Sequence, residues 1–146
     1  KLLCFQNAII PGNIQISDNT IFNCLLELCE CTSVEIIDMS GSVDYLNDIY
    51  TKLDLVVGMR FHGMILAALA SVPFVGFSRD KKILNICDSY SMPYSKLSDV
   101  SADWLISAAS AAIKTDVSVS VTNKFIKDAN KNFDSFYESA KGCMIE

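Results

Sequence analysis

Histidine, arginine and tryptophan are nearly missing from this chain. It has one His, two Arg and one Trp in 146 residues. Proline and glycine are also scarce, at three and six, which excludes collagen-like and low-complexity chains. Charged residues make up only 20%, apolar ones 51%, and the formal net charge is −5 with an isoelectric point of about 4.8. A nucleic-acid surface needs clustered Lys and Arg, and an anionic membrane surface attracts the same residues, so neither partner is expected. No long hydrophobic run is present, although the mean hydropathy is +0.31. The longest nearly uncharged stretch, Phe61 to Phe77, is broken by Pro73 and Gly76, and a spanning helix needs roughly 20 continuous apolar residues. A buried helix followed by a buried strand fits that stretch, and no membrane span is expected.

No signal peptide is visible, and the chain starts at Lys1 and runs directly into Leu2-Leu3-Cys4-Phe5. That is the pattern of a cut made just before a core strand, so a longer protein with an N-terminal partner domain is expected. The six cysteines do not read as three disulfides. Cys4, Cys24 and Cys87 lie in apolar or amphipathic runs, where a free thiol behaves as a small hydrophobe. Cys29 and Cys31 form a lone C-E-C without the four ligands that structural zinc needs. Reduced cysteines in a cytoplasmic protein are expected, with no metal site.

Apolar runs at 1–10, 34–37, 55–58 and 74–77 read as strands, with a short edge strand at 94–98. The spacing of three and four predicts helices over 16–30, 42–52, 64–70, 81–90, 102–114 and 117–140. In the last of these, Phe125, Phe133 and Phe136 share one face. There is no obvious internal repeat. Strands that are apolar throughout, alternating with helices, predict an α/β fold. The expected form is a Rossmann-like, doubly wound parallel sheet with helices on both faces, and one domain over residues 1–146.

The scarce residues are all close together. Arg60 and His62 follow one predicted strand, and Arg79 follows the next. Ligands of open parallel sheets bind at the carboxyl ends of the strands. Arg matches carboxylate or phosphate. A helix beginning near His62 and Gly63 directs free N–H groups to the same place, and Gly63 lets a ligand approach the backbone. His62 can carry a proton at neutral pH. Ser78, Lys81 and Lys82 add donors and charge. Each residue also has a plainer reading: His62 as a cap for backbone groups, Arg60 as the partner of Asp54 or Asp38, Lys81 and Lys82 as a solvated face. No G-x-G-x-x-G, Walker A or G-x-S-x-G pattern is present.

The segment Asp54-Leu55-Val56-Val57-Gly58-Met59-Arg60-Phe61-His62-Gly63, then Val72-Pro73-Phe74-Val75-Gly76, then Ser78-Arg79-Asp80-Lys81-Lys82 resembles the polysaccharide pyruvyl transferase family. Its hallmark is a strand ending in D-hydrophobic-V-V-G-M-R-L-H, an Ala-rich helix, V-P-hydrophobic-V-G and an S-Y-D-x-K turn. Phe61 replaces the usual Leu, and Arg79 stands where Tyr is common. The resemblance implies the C-terminal, donor-side half of a two-domain GT-B-type enzyme. Such an enzyme moves pyruvate from phosphoenolpyruvate, as a ketal, onto hydroxyls of a cell-surface polysaccharide or its sugar precursor. It implies no cofactor or metal, with His62 catalytic. It places Arg60, Phe61, Gly63, Ser78, Arg79 and Lys82 around the substrate, and it implies an inactive fragment if this half stands alone. A GT-B glycosyltransferase domain for a nucleotide-sugar and a non-catalytic anion-binding module are the alternatives.

Overall fold

The structure, a computed structural model, describes residues 1–5, 18–29 and 33–143, with side chains described up to residue 134. The chain forms two compact units, Lys1–Leu46 and Asn47–Glu146. Both are α/β with parallel strands, and the strands form two sheets rather than the single one that their pattern suggests.

In the first unit β1 (Leu2–Cys4) pairs in parallel with β2 (Ile36–Asp38). Cys4, Ile37 and Met39 are the buried residues among those described in this unit. Helix α1 (Asp18–Cys29) packs on β1, and the Asp18 carboxylate accepts from the Phe5 N–H at 3.1 Å. None of the residues of α1 is buried, so its face of Ile21, Cys24, Leu25 and Leu28 is not the core face that the spacing suggests. A pair of three-residue strands is too short to cover a twelve-residue helix. The predicted strand residues 6–10 and the turn at Pro11-Gly12-Asn13 lie outside the described residues. The unit boundary falls within α2 (Val43–Tyr50).

The second unit holds β3 (Val56–Gly58), α3 (Phe61–Leu69), β4 (Phe74–Phe77), α4 (Lys81–Ser89), β5 (Tyr94–Ser95), α5 (Ala102–Ala112) and α6 (Val119–Cys143). Its sheet has the order β3-β4-β5, with every neighbour parallel. Val56 lies beside Phe74, and Gly58 beside Gly76, which in turn lies beside Tyr94.

The central strand, β4, is covered on both faces. Phe74 and Gly76 point to one face. There the ring of Phe74 meets Tyr90 edge-on at 5.7 Å, and α4 comes so close that a Cβ on Gly76 would strike Cys87 Sγ and lie 3.0 Å from Ile83 Cγ2. Val75 points to the other face and is fully buried. Helix α5 also packs on β4 and buries Ala108 and Ala112, one turn apart. This is the environment that continuous apolar strands predict.

A repeat invisible in the sequence appears in the structure. Helices α3 and α4 both have nine residues and end alike. Ser71 and Ser91 adopt left-handed backbone, with φ of 58° and 55°. Val72 N–H bonds Ala67 C=O at 2.8 Å, and Met92 N–H bonds Cys87 C=O at 2.8 Å. Ser71 and Ser91 N–H groups bond Ala68 and Asp88. Both are Schellman ends, each followed by a buried apolar residue and a proline that leads into the next strand. Val-Gly in the strand and Ser-x-Pro-aromatic after the helix are shared between the two stretches, so the β-α unit repeats in geometry with little residue identity.

Helix α6 docks through its first turns. Thr122 Oγ1 lies 3.0 Å from the Tyr90 hydroxyl, and the ring of Phe125 stacks on Tyr90 at 5.9 Å. Phe133, on the same apolar face, is exposed.

Two buried groups resist ionisation. Burial pushes the Tyr50 phenol up to about 12 and the Cys87 thiol up to about 11. The Tyr50 hydroxyl has no hydrogen-bond partner. Both values are raised above those of the unfolded chain, so their contribution to stability is complete below about pH 9 and is lost as the pH rises through the folded values. Tyr50→Phe is expected to leave stability at pH 7 unchanged or slightly higher, because no hydrogen bond is lost, and to flatten the alkaline decline; urea midpoints at neutral pH and at about pH 10.5 check both effects. Gly76→Val is expected to cost about 1–3 kcal/mol by overpacking against α4, read from the same denaturation curves.

Candidate functional site

Strands β3 and β4 run in parallel and in register, so their carboxyl ends emerge on one edge of the sheet about 4.8 Å apart. Arg60 follows β3, and Ser78 and Arg79 follow β4. Lys96 follows β5 at the same edge, a cation that the sequence reading passed over although it too stands just after a strand. From Val56 to Lys96 there are five Lys or Arg residues and only two Asp. This edge is therefore locally positive on a chain whose net charge is −5.

The two helices that start at this edge begin in opposite ways. Asp80 caps α4, its carboxylate accepting from Lys82 N–H at 2.8 Å. A carboxylate there suits both the free N–H groups and the positive end of the helix. Helix α3 starts three residues earlier than its pattern suggests, with Phe61, His62 and Gly63 in the first turn. Arg60 occupies its cap position in extended backbone, φ −96° and ψ 122°, and its side chain makes no capping hydrogen bond. The first intrahelical bond runs from Met64 N–H to Arg60 C=O at 3.3 Å. The N–H groups of the first turn thus have no acceptor within the helix. An arginine in the cap position of an uncapped helix start opposes helix stability and favours an anion from outside.

The site residues expected from sequence divide by environment. Arg60, Phe61, His62, Arg79 and Lys82 are exposed. The Phe61 ring meets the His62 ring nearly edge-on, 6.0 Å between centroids and 67° between planes. Gly63 is buried in the first turn of α3. Ser78 is buried, 6% exposed; its N–H donates to Ser95 C=O at 3.2 Å, and its hydroxyl accepts from Asp80 N–H at 2.9 Å. Ser78 and Asp80 therefore tie down the turn on either side of Arg79, a job that neither residue type announces in sequence. Lys82 lends its backbone N–H to the cap and keeps its amine in solvent. Among the described residues no carboxylate pairs with Arg79, Lys81 or Lys82, whereas Lys52 and Lys131 pair with Asp48 and Asp128. No group of three or more His, Cys, Asp or Glu among the described residues is placed to hold a metal ion. No helix among them is long and apolar enough to cross a membrane.

A family model described as polysaccharide pyruvyl transferase matches residues 6–81, just over half of the chain. The chain belongs to the polysaccharide pyruvyl transferase family. The matched span carries Arg60, Phe61, His62, Gly63, Ser78 and Arg79 and stops one residue before Lys82. No curated protein and no solved structure matches the chain.

Asp80→Ala is expected to cost about 1 kcal/mol through loss of the α4 cap, and Asp80→Asn much less, since Asn caps nearly as well as Asp. Thermal unfolding of the two variants beside the parent chain checks this.

Proposed function

We propose that this chain supplies the phosphoenolpyruvate-binding side of a polysaccharide pyruvyl transferase, as one Rossmann-like half of a two-domain GT-B-type enzyme. The supporting observation is the uncapped start of α3 with Arg60 in the cap position and His62 in the first turn. The donor carries a carboxylate and a phosphate. The guanidinium of Arg60 pairs with one of them in a forked, charge-assisted contact. The first-turn N–H groups of α3, including that of Gly63, bind the same anion. Arg79 and Lys82 extend the positive charge toward the other group, with Ser78 fixing the turn that carries Arg79. The Phe61 ring bounds the site and holds the His62 ring.

In the transfer, a sugar hydroxyl adds to the enol carbon that bears the phosphate ester, and a proton is delivered to the methylene carbon, which becomes a methyl group. A second hydroxyl then forms the ketal as the carbon–oxygen bond to phosphate breaks and inorganic phosphate departs. Two demands follow: a proton must be handed over as positive charge develops, and the leaving phosphate must be neutralised. His62 serves the first, Arg60 and the helix start the second. The scheme uses no resident cofactor. The acceptor is a polysaccharide or its sugar precursor, and the donor, a central metabolite, places the reaction in the cytoplasm. The acceptor side belongs to the N-terminal half of the enzyme, so the isolated chain binds donor without turnover.

Calorimetric titration tests this reading. Phosphoenolpyruvate is expected to bind the enzyme in preference to phosphate or UDP. Arg60→Ala should weaken it roughly tenfold to a hundredfold, the worth of one charge-assisted contact. His62→Ala should retain donor binding and, in the full two-domain enzyme, abolish phosphate release. A preference for UDP, or donor binding indifferent to Arg60, overturns the assignment.

A further inference from the structure

Lys96 follows the third strand of the second unit's sheet, at the edge where Arg60 and Arg79 follow the other two. Strand register puts it there. Gly58 lies beside Gly76, and Gly76 beside Tyr94. Two residues beyond these come Arg60, Ser78 and Lys96. The pairing of β4 with β5 holds to the end of both strands, since Ser78 N–H donates to Ser95 C=O at 3.2 Å, one residue before Lys96. Arg60 and Lys96 therefore leave the two outer strands at nearly one level, two strand spacings or about 10 Å apart. Arg79 leaves the central strand between them.

The backbone of Lys96 is held in place while its amine is not engaged by an acid. Its carbonyl accepts from Asp99 N–H at 2.9 Å and from the Ser95 hydroxyl at 3.3 Å. Its backbone is extended, φ −70° and ψ 145°, and its side chain makes no capping hydrogen bond. The residue is exposed, and among the described residues no carboxylate pairs with it. Asp99 is only three residues away, but its carboxylate accepts from the Ser98 hydroxyl at 2.7 Å. Lys131 does pair with Asp128 across the same separation in sequence, at 2.8 Å. The amine of Lys96 thus keeps its charge for a group from outside, at an edge that already carries Arg60 and Arg79.

We propose that Lys96 binds the carboxylate of the donor while Arg60 and the start of α3 hold its phosphate. The proposal rests on the donor reading given above. Phosphoenolpyruvate carries both anionic groups on one carbon. A phosphate held at β3 therefore leaves the carboxylate to be met from the side of β4 and β5. Arg79 is the nearer cation on that side, and Lys96 closes the far end. Two long side chains that start about 10 Å apart can close on so small a molecule from opposite sides. A compact ammonium on a flexible four-carbon stem makes this reach without the fixed plane that a guanidinium imposes.

Calorimetric titration of phosphoenolpyruvate into the intact protein, with inorganic phosphate as the displacing ligand, tests this, and circular dichroism confirms that each variant is folded. Lys96→Gln is expected to raise the Kd for phosphoenolpyruvate roughly tenfold, the worth of one charge-assisted contact. It should leave the affinity for inorganic phosphate unchanged, whereas Arg60→Ala should weaken both. Lys96→Arg should restore most of the lost affinity. Lys114→Gln removes the same charge from an exposed position just after α5 and should change neither. Unchanged phosphoenolpyruvate affinity in Lys96→Gln, with the Arg60 effect intact, overturns the role of Lys96 and leaves the donor reading standing. An equal loss of phosphate affinity in Lys96→Gln sets Lys96 on the phosphate and overturns its assignment to the carboxylate. Phosphoenolpyruvate binding indifferent to Arg60 overturns the donor reading and this proposal with it.

Discussion

The close approach of α4 to β4 at Gly76 governs the second unit. With no Cβ at that position, Cys87 and Ile83 lie directly on the strand, while Phe74 and Val75 are sealed off on the two faces. A strand held this tightly has one register with its neighbours, because a slip of one residue would exchange its two faces. That register sets β3 and β5 beside it and brings the residues after all three strands to one edge. The positions of Arg60, Arg79 and Lys96 at that edge are consequences of core packing at a distance from any of them.

Stability and function pull in different directions at the two helix starts. Helix α4 has the acidic cap that a helix favours, and Asp80 spends its carboxylate on it. Helix α3 forgoes such a cap and carries Arg60 in its place. The C-terminal ends of the same two helices are nearly identical, both closed by a left-handed serine. The repeated unit is therefore built alike at the C-terminal ends of its helices and differs at their starts, where the proposed donor site lies. This is the pattern expected when a site is set into a scaffold and local rules are broken only there.

Much of this was legible in the residues. Helices and strands of the second unit follow from apolar spacing, because β3 and β4 are apolar throughout and α4 and α5 have regular faces. The motif around Arg60 and His62 pointed to the right family, and the Arg and His residues that follow two strands do emerge on one edge of the sheet. Other features were hidden. The start of α3 at Phe61 carries no capping residue type, so the apolar spacing places the helix only from Met64. Ser78 reads as a donor, and the structure adds a second task that its residue type does not announce: its hydroxyl oxygen accepts from the Asp80 N–H in the turn. The face of α1 looked like core, although the short strands of its unit do not bury it.

The sequence by itself determined the class of fold, the positive character of one stretch in an acidic chain, and the family, since these depend on residue type and short-range spacing. Tertiary structure alone decided which of the polar residues there stay available. Ser78, Asp80 and Lys82 are close together and equally polar in the sequence, yet Ser78 is buried and ties the turn, Asp80 caps α4 with one carboxylate oxygen, and Lys82 is exposed. The difference lies in which backbone N–H groups each side chain can reach once β4 and α4 are packed together. That geometry is fixed by contacts at Gly76 and Phe74, which no local reading of the turn contains.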